Sequence, residues 1–203
     1  MDFLSQVRRA LKPTQVVCIG DEIDAHSWSR YPKNPEMPGP REEMDLARKA
    51  LQPLYRLFPK VAVCVSNHTH RPAARAREIG LIGAFLADIR TVLGAPSGWS
   101  WAWEWEFDGV RFVHGEGCSG ADGHLKAARA AHQNTVIGHL HTSAGVAYAT
   151  LPRGRVWGMQ VSTLIDPTSP AFEYARHAVN KPNLGCGIID GGTPVYLPFG
   201  VLP

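Results

Sequence analysis

An α/β domain with a mixed sheet is the fold class this sequence predicts. Three observations predict it. Short apolar, β-rich runs alternate with amphipathic helical stretches, most of those runs end in a Gly or polar turn, and a Trp-rich segment around Asp108-Gly109 carries a hairpin signal. The 203 residues are 44% hydrophobic, enough for a core, and read as one domain spanning residues 1–203.

Residues 3–11 place Phe3, Leu4, Val7 and Leu11 near helical spacing ahead of Pro13, so they read as a helix. QVVCIG (15–20) reads as a buried strand, and residues 21–40, with Pro32, Pro35, Pro38 and Pro40, as an irregular loop. Arg41 to Phe58 is amphipathic, with Met44, Leu46, Ala47, Leu51, Leu54 and Leu57 on the helical repeat. KVAVCVS (60–66) is a second buried strand, and residues 72–93 read as a helix broken near Gly80. Beyond it, large residues alternate with small or charged ones around Asp108-Gly109, a hairpin pattern. Trp99, Trp101, Trp103 and Trp105 are expected to point one way along a strand, as sheet packing, with base stacking as the alternative. Ala121 to His132 is helical, and NTVIGH (134–139) is a strand. The short pieces RVWGMQVS, LGCGIID and TPVYLPF complete the β-rich material.

The net charge is +3, which excludes a histone-like binder. The bias is uneven: residues 1–90 hold 14 basic and 10 acidic residues, residues 91–203 hold 7 and 8. An anionic partner is therefore expected on the first half. Cys18, Cys64, Cys118 and Cys186 form no CxxC pair, and two lie in apolar runs, which suits free thiols in a reducing cytoplasm. No apolar run approaches the ~18 residues needed to span a bilayer, so a soluble chain with no membrane partner is expected.

The polar clusters follow strands: GDEID after VVCI, NHTH after VCVS, HGEG after RFV, and GHLH after TVI. Singly these are turns or surface histidines. Together they deliver Asp, Asn and His to one sheet edge, where α/β folds build their sites. In GHLH, the His-x-His spacing puts both imidazoles on one side of an extended segment. Carboxylate and amide oxygens with imidazoles suit Mn2+, Fe or Zn2+ better than Ca2+.

Gly20-Asp21-Glu22-Ile23-Asp24, Ser66-Asn67-His68, Val113-His114-Gly115 and Gly138-His139-Leu140-His141, in that order, resemble the calcineurin-like metallophosphoesterases, and in their spacing the small phage or bacterial type. The resemblance covers residues 15–141. It implies a four-layer α/β/β/α sandwich with mixed sheets and a centre of two divalent ions, Mn2+ first, with Fe, Zn2+ and Mg2+ as alternatives. By motif, Asp21 would bridge the ions, Asn67, His114 and His139 would bind the second, His141 the first, and His68 would contact the phosphate and protonate the leaving group. The implied reaction is phosphoester hydrolysis by metal-bound hydroxide, with a phosphodiester in nucleic acid or a nucleotide as the expected substrate. The implied compartment is the cytoplasm, that of the host for a phage-encoded chain.

Three departures from the family pattern stand out. Ser66 replaces a Gly, and Thr69 replaces the carboxylate that usually orients the catalytic His. The Asp-x-His that supplies two ligands to the first ion has no counterpart among residues 1–19, whose one acid is Asp2. The expectation is a chain that starts late, lacking the first strand, with the first metal site incomplete; the alternative is a reduced centre that binds its second metal well and its first poorly. Glu22 and His26 are expected in a solvent loop, and Asp24 is read as a residue beside the site or a turn cap. HGEGCSGADGHLK reads as a phosphate-facing loop or a flexible one with Asp122 capping its helix, and Arg71, Arg75 and Arg77 as steering charges or a solvated helix face. The alternative function is a catalytically impaired metal- or nucleic-acid-binding module on the same fold; a phosphomonoesterase is a third reading.

Overall fold

A computed structural model describes residues 2–30, 36–166 and 180–201. The chain is α/β with mixed sheets. Helix α1 (Asp2–Leu11) buries Phe3 and Val7, the two members of its apolar stripe four residues apart, and leaves Leu11 exposed. A three-stranded parallel sheet, in the order β1 (Val17–Cys18), β2 (Val61–Cys64), β3 (Trp99–Ala102), carries the first half. The run 15–20 thus forms only a two-residue strand, because its neighbour Gly20 turns the chain into the left-handed region with φ +94°.

Helix α2 (Pro40–Leu57) starts on Pro40, whose missing N–H costs nothing at the first helical position. It buries Leu51 and Tyr55 against Val61, Val63, Leu93 and Trp99, while Leu46 points to solvent. In the loop before α2, His26–Trp28 form a 3-10 turn; Pro32 and Pro35 lie outside the described residues. The expected helix over 72–93 begins earlier and ends sooner. It is α3 (Asn67–Glu78), capped by the Ser66 hydroxyl on the Thr69 N–H, followed by a 3-10 turn at Gly83–Phe85 and the one-turn α4 (Ile89–Leu93).

A five-stranded mixed sheet follows, in the order β4 (Glu104–Phe107), β5 (Val110–Val113), β6 (Asn134–Ile137), β8 (Gly154–Gln160), β7 (Gly145–Leu151). The hairpin β4–β5 turns on Asp108 and Gly109, both at positive φ, the turn type whose twist matches its strands. Its alternation does not extend back through Trp99. The chain leaves the first sheet at Trp103, which is exposed, so the four tryptophans do not form one ladder. Trp99 and Trp101 pack with α2, whereas Trp105 lies between the sheets and donates from Nε1 to the Val63 carbonyl at 2.9 Å. Helix α5 (Gly123–Ala131) covers β8, where a side chain at Gly158 would overlap the His124 carbonyl. Asp122 precedes α5 without a side-chain capping bond, contrary to the expected cap. The antiparallel pair β9 (Gly185–Asp190) and β10 (Thr193–Pro198) completes the described chain.

Period-two alternation assigns the core. On β2, Val61 and Val63 face the α2 cluster while Cys64 joins Val110, Phe112, Val136, Trp157 and Met159 on the other side. On β8, Trp157 and Met159 face that same inner cluster and Val156 faces Ala128 of α5. Cys18, Cys64, Cys118 and Cys186 are free thiols. Burial raises the Cys64 thiol to about 12 and the Cys186 thiol to about 11, so neither is a nucleophile near neutral pH. Among the described residues no helix is long and apolar enough to cross a membrane.

Candidate metal centre

The carboxyl ends of two parallel strand pairs, β1–β2 and β5–β6, meet at one place. The four motif segments leave from there, which is why residues so far apart in sequence come together. Gly20 sits at the junction. An added Cβ would stand 2.8 Å from the Cys64 carbonyl oxygen, 2.8 Å from Ser66 Cβ and 2.9 Å from His114 Nδ1, so both its positive φ and its lack of a side chain are used. Asp21 follows in the left-handed region, its N–H donating to Ser66 Oγ at 3.1 Å. Ser66, fully buried, therefore serves twice: it caps α3 and it holds the Asp21 backbone.

His114 is buried, and its Nδ1 lies 2.8 Å from the Ile19 carbonyl. A carbonyl only accepts, so the ring proton is on Nδ1 and Nε2 presents a lone pair. Around that lone pair stand Asn67 Oδ1 at 3.0 Å, His139 Nδ1 at 3.0 Å and Asp21 Oδ1 at 3.6 Å. Asp21 Oδ1 is buried without a hydrogen-bond partner. At most one proton, that of His139, serves this group of acceptors, an arrangement that is repulsive until positive charge is placed among them. The separations to Asn67 and His139 are those of neighbouring ligands, and that to Asp21 Oδ1 is slightly longer. Ligand bonds of about 2.1 Å put neighbouring donor atoms roughly 3.0–3.4 Å apart in octahedral or tetrahedral coordination. The residues present thus fit a divalent cation held by Asn67, His114, His139 and Asp21. Among the described residues, however, no three of the His, Cys, Asp and Glu side chains stand close enough together to hold a metal ion by themselves.

His141 Nε2 lies 3.4 Å from Asp21 Oδ2, the other oxygen of the same carboxylate, so Asp21 faces one histidine on each side. Burial opposes ionisation of Asp21, yet the His141 hydrogen bond, the nearby His114 and His68 rings and Ser66 outweigh it and hold the carboxyl well below its usual range. Burial, then the neighbouring His114, lowers the pKa of His139 and keeps that ring neutral, the form a metal needs. All five expected ligand residues are brought together.

His68 stands beside them in the first turn of α3. Its Nδ1 is 3.1 Å from Asp24 Oδ1, and its Nε2 is 3.0 Å from Arg71 Nη2. The carboxylate that meets His68 is thus Asp24, three residues beyond Asp21, so Asp24 is not a turn cap. Burial opposes the charge on Asp24, but the His68 hydrogen bond and charge, then Arg71, lower its pKa. Thr69 instead donates its hydroxyl to Glu22, 3.1–3.2 Å away, and Trp101 Nε1 donates to the same carboxylate at 2.8 Å. Glu22 is therefore enclosed, not in a solvent loop; burial raises its pKa against those hydrogen bonds. His26 is also tied down, its N–H donating to Glu43 at 2.6 Å and its Nε2 buried without a partner.

A cleft of about 290 Å³ opens on Asp21, His68, His139, Leu140, His141 and Thr142. A second, of about 230 Å³, lies at the opposite strand ends beside Arg153 and Arg155 and includes none of the motif residues. Arg75 donates to the Trp28 and Ser29 carbonyls, at 3.0 and 2.8 Å, and to Glu78, so it holds the loop before α2 and does not steer ligands. The residues the sequence reading underweighted are Asp24 and Arg71; the spacing of three between Asp21 and Asp24 and between His68 and Arg71 was their one signal. No protein-family model matches the chain, and no curated protein matches it closely.

Proposed function

We propose that the chain is a metal-dependent phosphoesterase, acting on a phosphodiester of nucleic acid or a nucleotide. The observation that carries the reading is the convergence of Asn67 Oδ1, His114 Nε2, His139 Nδ1 and the unpartnered Asp21 Oδ1 at the floor of a cleft that also holds His68. A divalent cation there, Mn2+ or alternatively Fe, Zn2+ or Mg2+, would supply positive charge at the phosphoryl oxygen and lower the pKa of a water. A second cation would share Asp21 through Oδ2 and His141.

The side chains supply the rest. Asp24 accepts from His68 Nδ1–H, which fixes the tautomer and aims Nε2, the nitrogen that would carry the proton for the leaving group, away from the carboxylate. His68, on the cleft wall, can then hand that proton to the departing oxygen. Asp21 stays ionised because His141 and His114 flank it.

The four-layer α/β/β/α arrangement is supported by three successive apolar clusters, between α2 and the first sheet, between the two sheets, and between the second sheet and α5. The free cysteines are consistent with a cytoplasmic setting. The anionic substrate class rests on the basic excess of residues 1–90 and on the motif resemblance.

A second reading, a binding module without turnover, is favoured by one observation: among the described residues no three acids, histidines or cysteines are grouped so as to hold a metal ion. Hydrolysis of bis(p-nitrophenyl) phosphate in Mn2+ separates the two. Turnover by the wild type, lost in His68→Ala, is expected for the enzyme. Equal inactivity of both, in folded and metal-loaded protein, would leave the module. Preference for p-nitrophenyl phosphate over the diester would shift the assignment to a monoesterase.

A further inference from the structure

Arg71 is held by three hydrogen bonds to two residues, Asp24 and the cleft-lining His68. Nη1 donates to the Asp24 carbonyl at 2.6 Å and to Asp24 Oδ1 at 3.1 Å, while Nη2 donates to His68 Nε2 at 3.0 Å. A guanidinium only donates, so the His68 nitrogen that faces it is the lone-pair nitrogen, in agreement with Nδ1–H on Asp24. Arg71 Nη2 thus occupies the position at His68 Nε2 that a leaving-group oxygen must take. Its side chain is 19% exposed, and His68 lines the cleft.

We propose that Arg71 is the residue that grips a phosphoryl oxygen of the substrate, and that its Nη2 leaves His68 Nε2 to do so. The exchange is favourable on general grounds. A neutral imidazole is an uncharged acceptor, whereas a phosphate offers an anionic oxygen, to which a guanidinium N–H makes a stronger, charge-assisted hydrogen bond. The Asp24 contacts through Nη1 keep the base of the guanidinium in place, so Nη2 has only to turn toward the cleft. His68 Nε2 is then vacated when, and only when, an anion is present. The site discriminates in favour of anionic phosphoesters and against neutral esters of similar shape. The proposal rests on the phosphoesterase reading and extends it to substrate recognition.

The test uses the full chain loaded with Mn2+, with two probes: inorganic phosphate binding by calorimetry, and steady-state hydrolysis of bis(p-nitrophenyl) phosphate. Arg71→Gln is expected to weaken phosphate binding and raise KM by about 10- to 100-fold, the loss of one charged hydrogen-bonding partner. Its kcat is expected to stay level or rise, since His68 Nε2 is freed. Arg71→Lys is expected between Arg71→Gln and wild type. Arg77→Gln, the same charge change on an exposed face of α3, is expected to match wild type. A purely structural Arg71 would lower kcat and the melting temperature while leaving phosphate affinity unchanged, and that result overturns the proposal. Unchanged KM and affinity in Arg71→Gln, with an active wild type, overturn the proposal but leave the phosphoesterase reading standing. A wild type that neither binds phosphate nor hydrolyses the diester overturns both.

Discussion

Replacing Gly20 by Ala puts a methyl group where three atoms already stand: the Cys64 carbonyl oxygen and Ser66 Cβ at 2.8 Å and His114 Nδ1 at 2.9 Å. Each neighbour has to retreat by roughly 0.5 Å to regain an ordinary contact. Two of them are poorly able to, because Cys64 belongs to the buried strand β2 and Ser66 caps α3. The residue also keeps φ +94°, a conformation that costs a non-glycine about 1–3 kcal/mol. Overpacking adds about 1–3 kcal/mol. The sum, about 2–6 kcal/mol, lowers the melting temperature of a chain this size by about 4–24 °C. The third neighbour carries the functional consequence. His114 has to move relative to Asn67 and His139, each of which its Nε2 meets at 3.0 Å, and a displacement near 0.5 Å spoils metal geometry. Scanning calorimetry with and without Mn2+ reads both effects. Wild type at a hundredfold excess of Mn2+ over Kd is expected to gain about 2.7 kcal/mol, or about 5–10 °C. Gly20→Ala is expected to melt lower in chelator and to lose that gain. A variant melting within about a degree of wild type and keeping the full Mn2+ shift would refute the reasoning.

Three further outcomes follow from single contacts. Asp24→Asn removes the charge on His68 Nδ1 and is expected to cut kcat for the diester by about 10- to 1,000-fold with little loss of Mn2+ affinity; an unchanged kcat would remove Asp24 from the account. Trp101→Phe deletes the 2.8 Å donor to the enclosed Glu22 carboxylate and is expected to cost about 1–3 kcal/mol in urea denaturation, a cost that should shrink in the Glu22→Gln background. Burial lowers the pKa of His124, against the opposing pull of Asp122, so the unfolded chain binds the proton more readily than the folded one. Stability is therefore complete above the unfolded value near 6.5 and falls as pH drops below it toward the depressed folded value. His124→Gln should flatten that fall in melting experiments between pH 7 and 5.

Much of this site was readable in advance because each motif closes a strand, and strand ends in an α/β fold share an edge. Asp21, Asn67, His114, His139 and His141 come from four separate segments and meet for that reason alone. What the sequence hid were contacts that depend on how loops fold back. Nothing in SNHTHR says that the carboxylate beside His68 comes from Asp24, or that Thr69 passes its hydroxyl to Glu22. Glu22 looked solvated because it follows a turn, yet Trp101 from β3 closes over it. The tryptophan series misled by its regularity. Period two held within each strand, but Trp103 marks a crossing between sheets that alternation cannot register. The sequence pattern places this helix from residue 72, whereas the Ser66 cap, a side-chain-to-backbone bond that apolar spacing does not register, starts α3 at Asn67, five residues earlier.

The most direct test of the central claim is anomalous scattering from a crystal grown or soaked with Mn2+. The account predicts a peak within about 2.0–2.3 Å of Asn67 Oδ1, His114 Nε2, His139 Nδ1 and an Asp21 carboxylate oxygen. It also predicts that the peak is absent in Asn67→Ala. A folded wild-type crystal with no anomalous density among those four side chains, at Mn2+ concentrations that occupy other surface sites, would contradict it.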